Sequence, residues 1–436
     1  MTGRNLLMHA LTKGADPVNP FKLKVNLFEL VMSIARIVDI MSPVLKNHHF
    51  KVAYLAYRLA EELDLPIETR NEIMLAGMIH DIGAFSIEER FDLLEFEITQ
   101  AEEHCIAGYL LLNQFRLFQN VARLVRYHHT PWKNDGPESE IPEGSHILHL
   151  ADRVVVQISL QSPVLSQVDS ICERISACRD DAFAPQYVDA FLRVAQRDYI
   201  WLEVTSDFLE SILRRIFFHQ SQELLVTDLL DFSKLVCRLI DFKSAFTATH
   251  SSGVAAVAVA LAGFWGFSRN ERGLIEIAAY LHDLGKLAIP SEILEKKNHL
   301  TEQEWFVMRS HVYYTYQSLA PFDTLQTINS WGALHQERLN GTGYPFGYQE
   351  DELPLGAKLM GVADVFTALT EERPYRKGMN SSEAIEILEK MAENRELDPT
   401  IVHTAIRKFD TLDEIRSLAQ SKAAEQYKKF QMALHE

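Results

Sequence analysis

Apolar residues recur at three- and four-residue intervals in segments such as LFELVMSIARIVDIM (27–41), FKVAYLAYRLAEEL (50–63), ETRNEIMLAGMIHDI (68–82) and SRNERGLIEIAAYLHDL (268–284). That period lays one apolar stripe along a helix, and no stretch of comparable length alternates as a half-buried strand would. The pattern predicts an all-α protein. Gly83 and Gly285 each follow a His-Asp pair at the end of such a segment, where a residue free to adopt positive φ is expected to stop the helix. Residues 207–232, DFLESILRRIFFHQSQELLVTDLLDF, contain neither Pro nor Gly, so the middle of the chain reads as helices that fix two halves in one orientation.

The chain also repeats itself, and the repeat organises everything else. Residues 25–85 run beside 227–287 without a gap at an offset of 202: His48 falls on His250, Val52 on Val254, Arg70 on Arg272, and His80-Asp81-Ile82-Gly83 on His282-Asp283-Leu284-Gly285. Longer loops then shift the second copy. His104 matches His311 and His128 matches His335 at 207, Asp152 matches Asp364 at 212, and Pro185 matches Pro399 at 214. Two tandem helical domains follow, 1–215 and 216–436, a division that also suits a length of 436 residues.

Composition narrows the function. Hydrophobic residues at 47% and charged residues at 24% are those of a folded globular chain, with no segment apolar enough to span a bilayer. The first residues, MTGRNLLMHALTKG, lack the apolar run of a signal peptide, and the cytoplasm is the expected compartment. Cys105, Cys172, Cys178 and Cys237 form no CxxC pair; they are expected to be reduced, mostly buried and without a chemical role. A net charge of −17 excludes a non-specific grip on polymeric nucleic acid, which depends on many Lys and Arg contacts. A small anion remains compatible with it, provided the site supplies local positive charge.

The residues that repeat are imidazoles and carboxylates: His250, His282, Asp283, His311, His335 and Asp364 in the second half, and His48, His80, Asp81, His104, His128, His129 and Asp152 in the first. Such a mixture suits divalent first-row cations such as iron(II) or manganese(II), whereas oxygen alone would favour magnesium and thiolates would favour structural zinc. Adjacent His282 and Asp283 on one helix point about 100° apart. Asp283 has two oxygens with which to bridge a pair of ions. His49 reads as a solvated or supporting neighbour of His48.

With these residues stand five ordered motifs: FTATHSSGV around His250, HDLGK at 282–286, His311, HQERLNGTGYP at 335–345 and DVFTALTEERPYR at 364–376, with ELDPTIV beyond them. Over roughly residues 220–410 the chain resembles the HD-GYP family. The resemblance implies a helical HD fold and metal-dependent hydrolysis of a bacterial cyclic dinucleotide, 3'3'-cyclic GMP-AMP or cyclic di-GMP, to a linear dinucleotide. It implies that His250, His282, Asp283 and Asp364 hold one cation and that Asp283, His311 and His335 hold a second, iron or manganese before magnesium, nickel or cobalt. Asp283 and Lys286 carry the catalytic roles, Lys286 on a substrate phosphate. Gly341, Gly343 and Tyr344 form the substrate rim with Arg373, although Arg373 and Arg376 in an ERPYR turn also suit loop anchoring. The partners implied are the cyclic dinucleotide and, beside it, a second copy or a signalling protein.

The chain departs from the family pattern in two ways. His335-Gln336-Glu337 and Asn340-Gly341 stand where the family has HHE and DG, and Phe246 stands where members with a third cation have Glu, so two cations are expected. The alternative is a degenerate receptor or regulatory scaffold that binds cyclic dinucleotide without turnover. The first half keeps the fuller ligand set, with HHTPW resembling other HD phosphohydrolases, but has Ala84 in place of Lys286 and no GYP loop after Asp135-Gly136. It reads as a phosphomonoesterase on a nucleotide product or as a metal-bearing regulatory domain.

Overall fold

The computed structural model describes residues 22–40, 47–85, 96, 102–135, 140–159, 161–217, 223–243, 249–296, 298–372 and 377–434. Phe246, Gly136, Arg373 and Arg376, singled out in the sequence, lie outside them. The described chain is helical apart from one short ribbon, strand β1 (Lys22–Asn26) paired antiparallel with β2 (Glu223–Leu225), and two isolated bridges.

The first half runs α1 (Leu27–Ile40), α2 (His48–Glu62), α3 (Ile67–Ile79), α4 (Glu102–Leu112), α5 (Gln119–Arg126), α6 (Glu143–Val155), α7 (Val168–Ala177), α8 (Pro185–Ala195), α9 (Asp198–Val204) and α10 (Leu209–Phe217). The second runs α11 (Val226–Lys243), α12 (His250–Phe264), α13 (Arg269–Leu281), α14 (Glu302–Leu319), α15 (Gln326–Gly332), α16 (Leu355–Thr370), α17 (Ser381–Glu393), α18 (Pro399–Arg407) and a long closing helix α19 (Phe409–Leu434). At the offset of 202, α2 and α12 begin and end at equivalent residues, as do α3 and α13. The sequence repeat is therefore a repeat of structure.

The ribbon was not legible as strands, because five residues and three residues are too few for an alternation to register. Its pairing is informative. Lys22 faces Leu225 and Leu23 faces Leu224. Since Lys22 is equivalent to Leu224 and Leu23 to Leu225, the two contacts are the same contact made twice, as an isologous interface requires. One apolar core continues from this junction through α1 and α11 into residues of both halves, from Val25 to Ile328 and Phe430, while a second core fills the space between α12, α16 and α18. The halves are thus packed on each other, and the expected boundary after residue 215 falls within α10. No helix among the described residues is long and apolar enough to cross a membrane.

The two glycines act differently from expectation. Neither Gly83 nor Gly285 has positive φ. Helices α3 and α13 end at Ile79 and Leu281, and the His-Asp pairs lie on the turns just beyond them. A Cβ at Gly285 would stand 1.9 Å from the carbonyl oxygen of His311, and one at Gly83 would stand 2.1 Å from that of His104. Glycine is needed there so that the turn bearing His-Asp can lie against the backbone of the helix bearing the next histidine.

Candidate metal centre

Five elements bring the second-half residues together: the first turn of α12 supplies His250, the turn after α13 supplies His282 and Asp283, α14 supplies His311, the turn after α15 supplies His335 and α16 supplies Asp364. All six are buried. Asp283 is the hub. Its Oδ2 lies 3.1 Å from His282 Nε2 and 2.5 Å from Lys286 Nζ; its Oδ1 lies 3.2 Å from His311 Nε2 and 3.9 Å from His335 Nε2. Asp364 Oδ1 stands 3.2 Å from His250 Nε2. Two overlapping triads, His250-His282-Asp283 and Asp283-His311-His335, each gather their donor atoms within 4.8 Å.

The rings are fixed in the orientation a cation needs. Nδ1 of His282 donates to the carbonyl of Ala279 at 2.6 Å, that of His311 to Met308 at 2.6 Å and that of His335 to Gly332 at 2.7 Å. Each bond reaches three residues back along the chain, and each leaves Nε2 with its lone pair facing inward. Nε2 of His282 and of His311 are buried without a hydrogen bond. Buried donor atoms of this kind are costly unless something occupies the space between them, and the donor set fits a divalent cation. Charge follows the same logic. Burial works against ionising Asp283, yet His282 and Lys286 hold its carboxyl well below the usual range. Burial, then the charge of His282, drives His335 down to about 3, a ring kept neutral as a ligand must be.

One participant was missed by sequence reasoning. Glu371, buried at the end of α16, places both carboxylate oxygens 3.1 Å from His250 Nδ1 and accepts from Gln420 Nε2 of α19 at 2.9 Å. Burial opposes a charge on His250, but Glu371 and Asp364 raise it to about 10. Glu371 sits in TEERPYR beside more conspicuous arginines, and only its packing distinguishes it from Glu372.

Among the expected substrate residues, Lys286 is half-buried and ion-paired to Asp283. Gly343 packs on Glu337, where a Cβ would come within 2.4 Å of the Glu337 Cα, and Gly341 takes a positive φ of 77°. Tyr344 is half-buried beneath the guanidinium of Arg309, 4.6 Å from its ring centre; burial and then the Asp364 charge push its hydroxyl up to about 12. Glu337 holds this loop by accepting from the amides of Phe346 and Tyr348. Asn340 is exposed, with its side chain spent on Thr342 and the carbonyl of Asn394, whereas Gln336 reaches Asp364.

The first half builds an equivalent centre. Asp81 Oδ2 lies 3.2 Å from His80 Nε2, and its Oδ1 lies 3.6 Å from His104 and 3.5 Å from His128. Asp152 lies 3.3 Å from His48 and 4.0 Å from His129. His49 is not solvated: it is buried, with Nδ1 2.5 Å from Asp39, and it forms a further donor group with His80 and Asp81. Cys105 is buried as expected, but its thiol lies 3.5 Å from His128 Nδ1. Burial would raise the thiol, and the charges of His128 and His104 instead pull it down to about 6. Ala84, where the other half has Lys286, is buried.

Known proteins are similar to this chain in both halves. Residues 45–156 and 234–401 each match an HD domain family model. The chain is 28% identical over 411 residues to the 3'3'-cGAMP-specific phosphodiesterase 1 of Vibrio cholerae, covering 91% of this chain and 95% of that one. It is 35% identical over 184 residues to the cyclic di-GMP phosphodiesterase response regulator RpfG of Xanthomonas campestris, covering 41% of this chain and 48% of that one. A crystal structure of a cyclic GMP-AMP specific phosphodiesterase of V. cholerae shares the fold, with TM-score 0.58 and 22% identity over 93% of this chain and 98% of that one. Two matched domains, two equivalent clusters and the GYP loop place this chain in the HD superfamily, as a tandem HD-domain protein whose second half is of the HD-GYP type.

Proposed function

We propose that the chain is a metal-dependent phosphodiesterase that opens a bacterial cyclic dinucleotide to its linear form at the second-half centre. The observation that carries this reading is the position of Asp283, one oxygen toward His282 and the other toward His311 and His335. A carboxylate so placed could serve two cations, with His250, His282 and Asp364 holding one and His311 and His335 the other. The reading takes two cations there, iron or manganese first. Bound cations supply the Lewis acidity that ionises water and offsets charge on phosphate. Lys286, held at the rim by Asp283, is placed to turn its ammonium to a phosphate oxygen, and Tyr344 with Gly341 and Gly343 shapes the entrance. No side-chain nucleophile is required.

3'3'-cyclic GMP-AMP is the first substrate to test. The Vibrio relative that spans nearly the whole chain carries that name, and the relatives named for cyclic di-GMP cover less than half of it. The first half, with imidazoles but no counterpart of Lys286, suits a smaller product, and we assign it a phosphomonoesterase role on the released nucleotide.

The test follows products over time for both cyclic dinucleotides, using metal-loaded protein and variants with one half disabled. His282→Ala with Asp283→Ala should leave the cyclic substrate intact, while His80→Ala with Asp81→Ala should leave the linear product to accumulate. Intact substrate with wild-type protein under iron, manganese, magnesium, nickel and cobalt would refute the enzyme, and tight binding without turnover would favour a receptor.

A further inference from the structure

A cleft of about 1090 Å³ opens between α11, α12, α13 and α19, apart from the residues that form the metal centre. The repeat shows how it arose. Along α12 the cleft is lined by Ser252, Ala256 and Val259, and the equivalent first-half residues are Phe50, Tyr54 and Tyr57. Across from them, Lys234, Glu276 and Tyr280 stand where the first half has Met32, Met74 and Met78. Those six first-half side chains are buried and fill the space. In one copy the position is a packed core; in the other, large apolar groups are replaced by small or polar ones.

The polar groups select a charge. Asp231 stands 3.8 Å from Lys234, and Asp241 accepts from Ser251 at 3.0 Å and from Cys237 at 3.4 Å. Arg238 has only the neutral side-chain carbonyls of Gln114 and Gln426 as hydrogen-bond acceptors among the described residues. The Nε of Arg272 is buried without a partner. Two guanidinium groups without carboxylate partners among the described residues thus face a cleft whose lining combines an apolar part, Val259, Phe264, Ile415 and Leu418, with the polar groups of Glu276, Lys422 and Gln426. Both arginines are half-buried, and a partly desolvated guanidinium without a carboxylate partner favours an anion beside it.

Two contacts lead from the cleft to the metal centre. Asp241 holds Ser251, the residue after His250. Helix α19, whose Leu418 and Lys422 line the cleft, carries Gln420, which holds Glu371 against His250.

We propose that this cleft is a regulatory site for a small amphipathic organic anion. Its acidic group pairs with Arg238 and Arg272, its apolar body lies along the small-residue face of α12, and its occupancy shifts α19 and hence the Glu371–His250 contact. A carboxylate from a lipid source and a phosphate on a nucleotide share this chemistry.

The experiment titrates full-length, metal-loaded protein by calorimetry with dodecanoate and, separately, with guanosine and adenosine monophosphate, and measures cyclic dinucleotide hydrolysis with each. One probe class should bind at one site and change the rate at least twofold; dodecanoate alone identifies the lipid source and a mononucleotide alone the nucleotide source. Ala256→Tyr, which reinstates the first-half residue, and Arg238→Met should each weaken that binding at least tenfold with metal content unchanged. If Ala256→Tyr does not fold, Arg238→Met decides. Absence of binding by every probe, binding that either folded variant leaves unaltered, or binding without a change in rate would overturn the proposal.

Discussion

Gln336 donates its side-chain amide to Asp364 Oδ2 at 3.2 Å, and in doing so takes the place that His129 holds beside Asp152 in the other half. An amide can occupy an imidazole's position but is a much weaker donor to a first-row cation. Gln336→His should therefore tighten metal retention in the second half, by about tenfold on the scale of a ligand-shell change. The measurement is metal content after dialysis against a graded chelator, with the first half emptied by His80→Ala and Asp81→Ala. Retention equal to the parent would show that position 336 does not face a cation.

The close approach at Gly285 makes a second prediction, about packing. Alanine there would drive its methyl into the carbonyl of His311, which is backbone and cannot swing aside. The helix α14 must move, and overpacking of this kind costs about 1–3 kcal/mol. Gly285→Ala should lower the melting temperature and loosen metal binding together, because the displaced helix carries the proposed ligand His311. A variant with wild-type melting and metal content would mean that the turn relaxes freely.

Much of this was legible in the sequence because the repeat is gap-free across the first helices: His48 and His250, and the two His-Asp pairs, hold the same register in space as in the chain. What escaped it depends on packing across elements. Glu371 is one acidic residue beside another until α16 and α19 meet, and His49 reads as a solvated or supporting neighbour of His48 until Asp39, 2.5 Å from it, decides for the buried, supporting role. The glycines were read as helix stops because local φ is the commonest reason for a glycine, whereas here the reason is a neighbouring backbone far along the chain. The ribbon between β1 and β2 likewise rests on a contact between residues about two hundred positions apart.

Glu371 carries the third prediction. Its carboxylate fixes the His250 ring and makes it a stronger base, and outer partners of metal-bound histidines commonly contribute 10–100-fold in affinity. Glu371→Gln keeps the size and can still hydrogen-bond Nδ1, yet removes the charge. Metal titration should show roughly tenfold weaker binding in the second half alone. Equal loss in both halves would point to a general loosening of the fold.

The last prediction concerns pH. Asp241 is buried, and burial pushes its carboxyl up to about 7 although Ser251 and Cys237 both donate to it. In the unfolded chain the same group titrates near about 4. Between those values the native protein holds a proton that the unfolded chain has released, so stability falls as pH rises. The contribution is full below about pH 4 and lost by the time pH has passed about 7, with a size on the order of a few kcal/mol. Asp241→Asn keeps an acceptor for Ser251 but cannot ionise. Melting temperatures of metal-free wild type and variant, compared at pH 5 and pH 8, should therefore diverge in one direction: wild type loses stability over that interval and the variant loses less. Histidines of both centres titrate in the same range, but they are common to the two proteins and cancel in the difference. An identical decline in both would mean that Asp241 is ionised throughout, compensated by the cations of the cleft it lines.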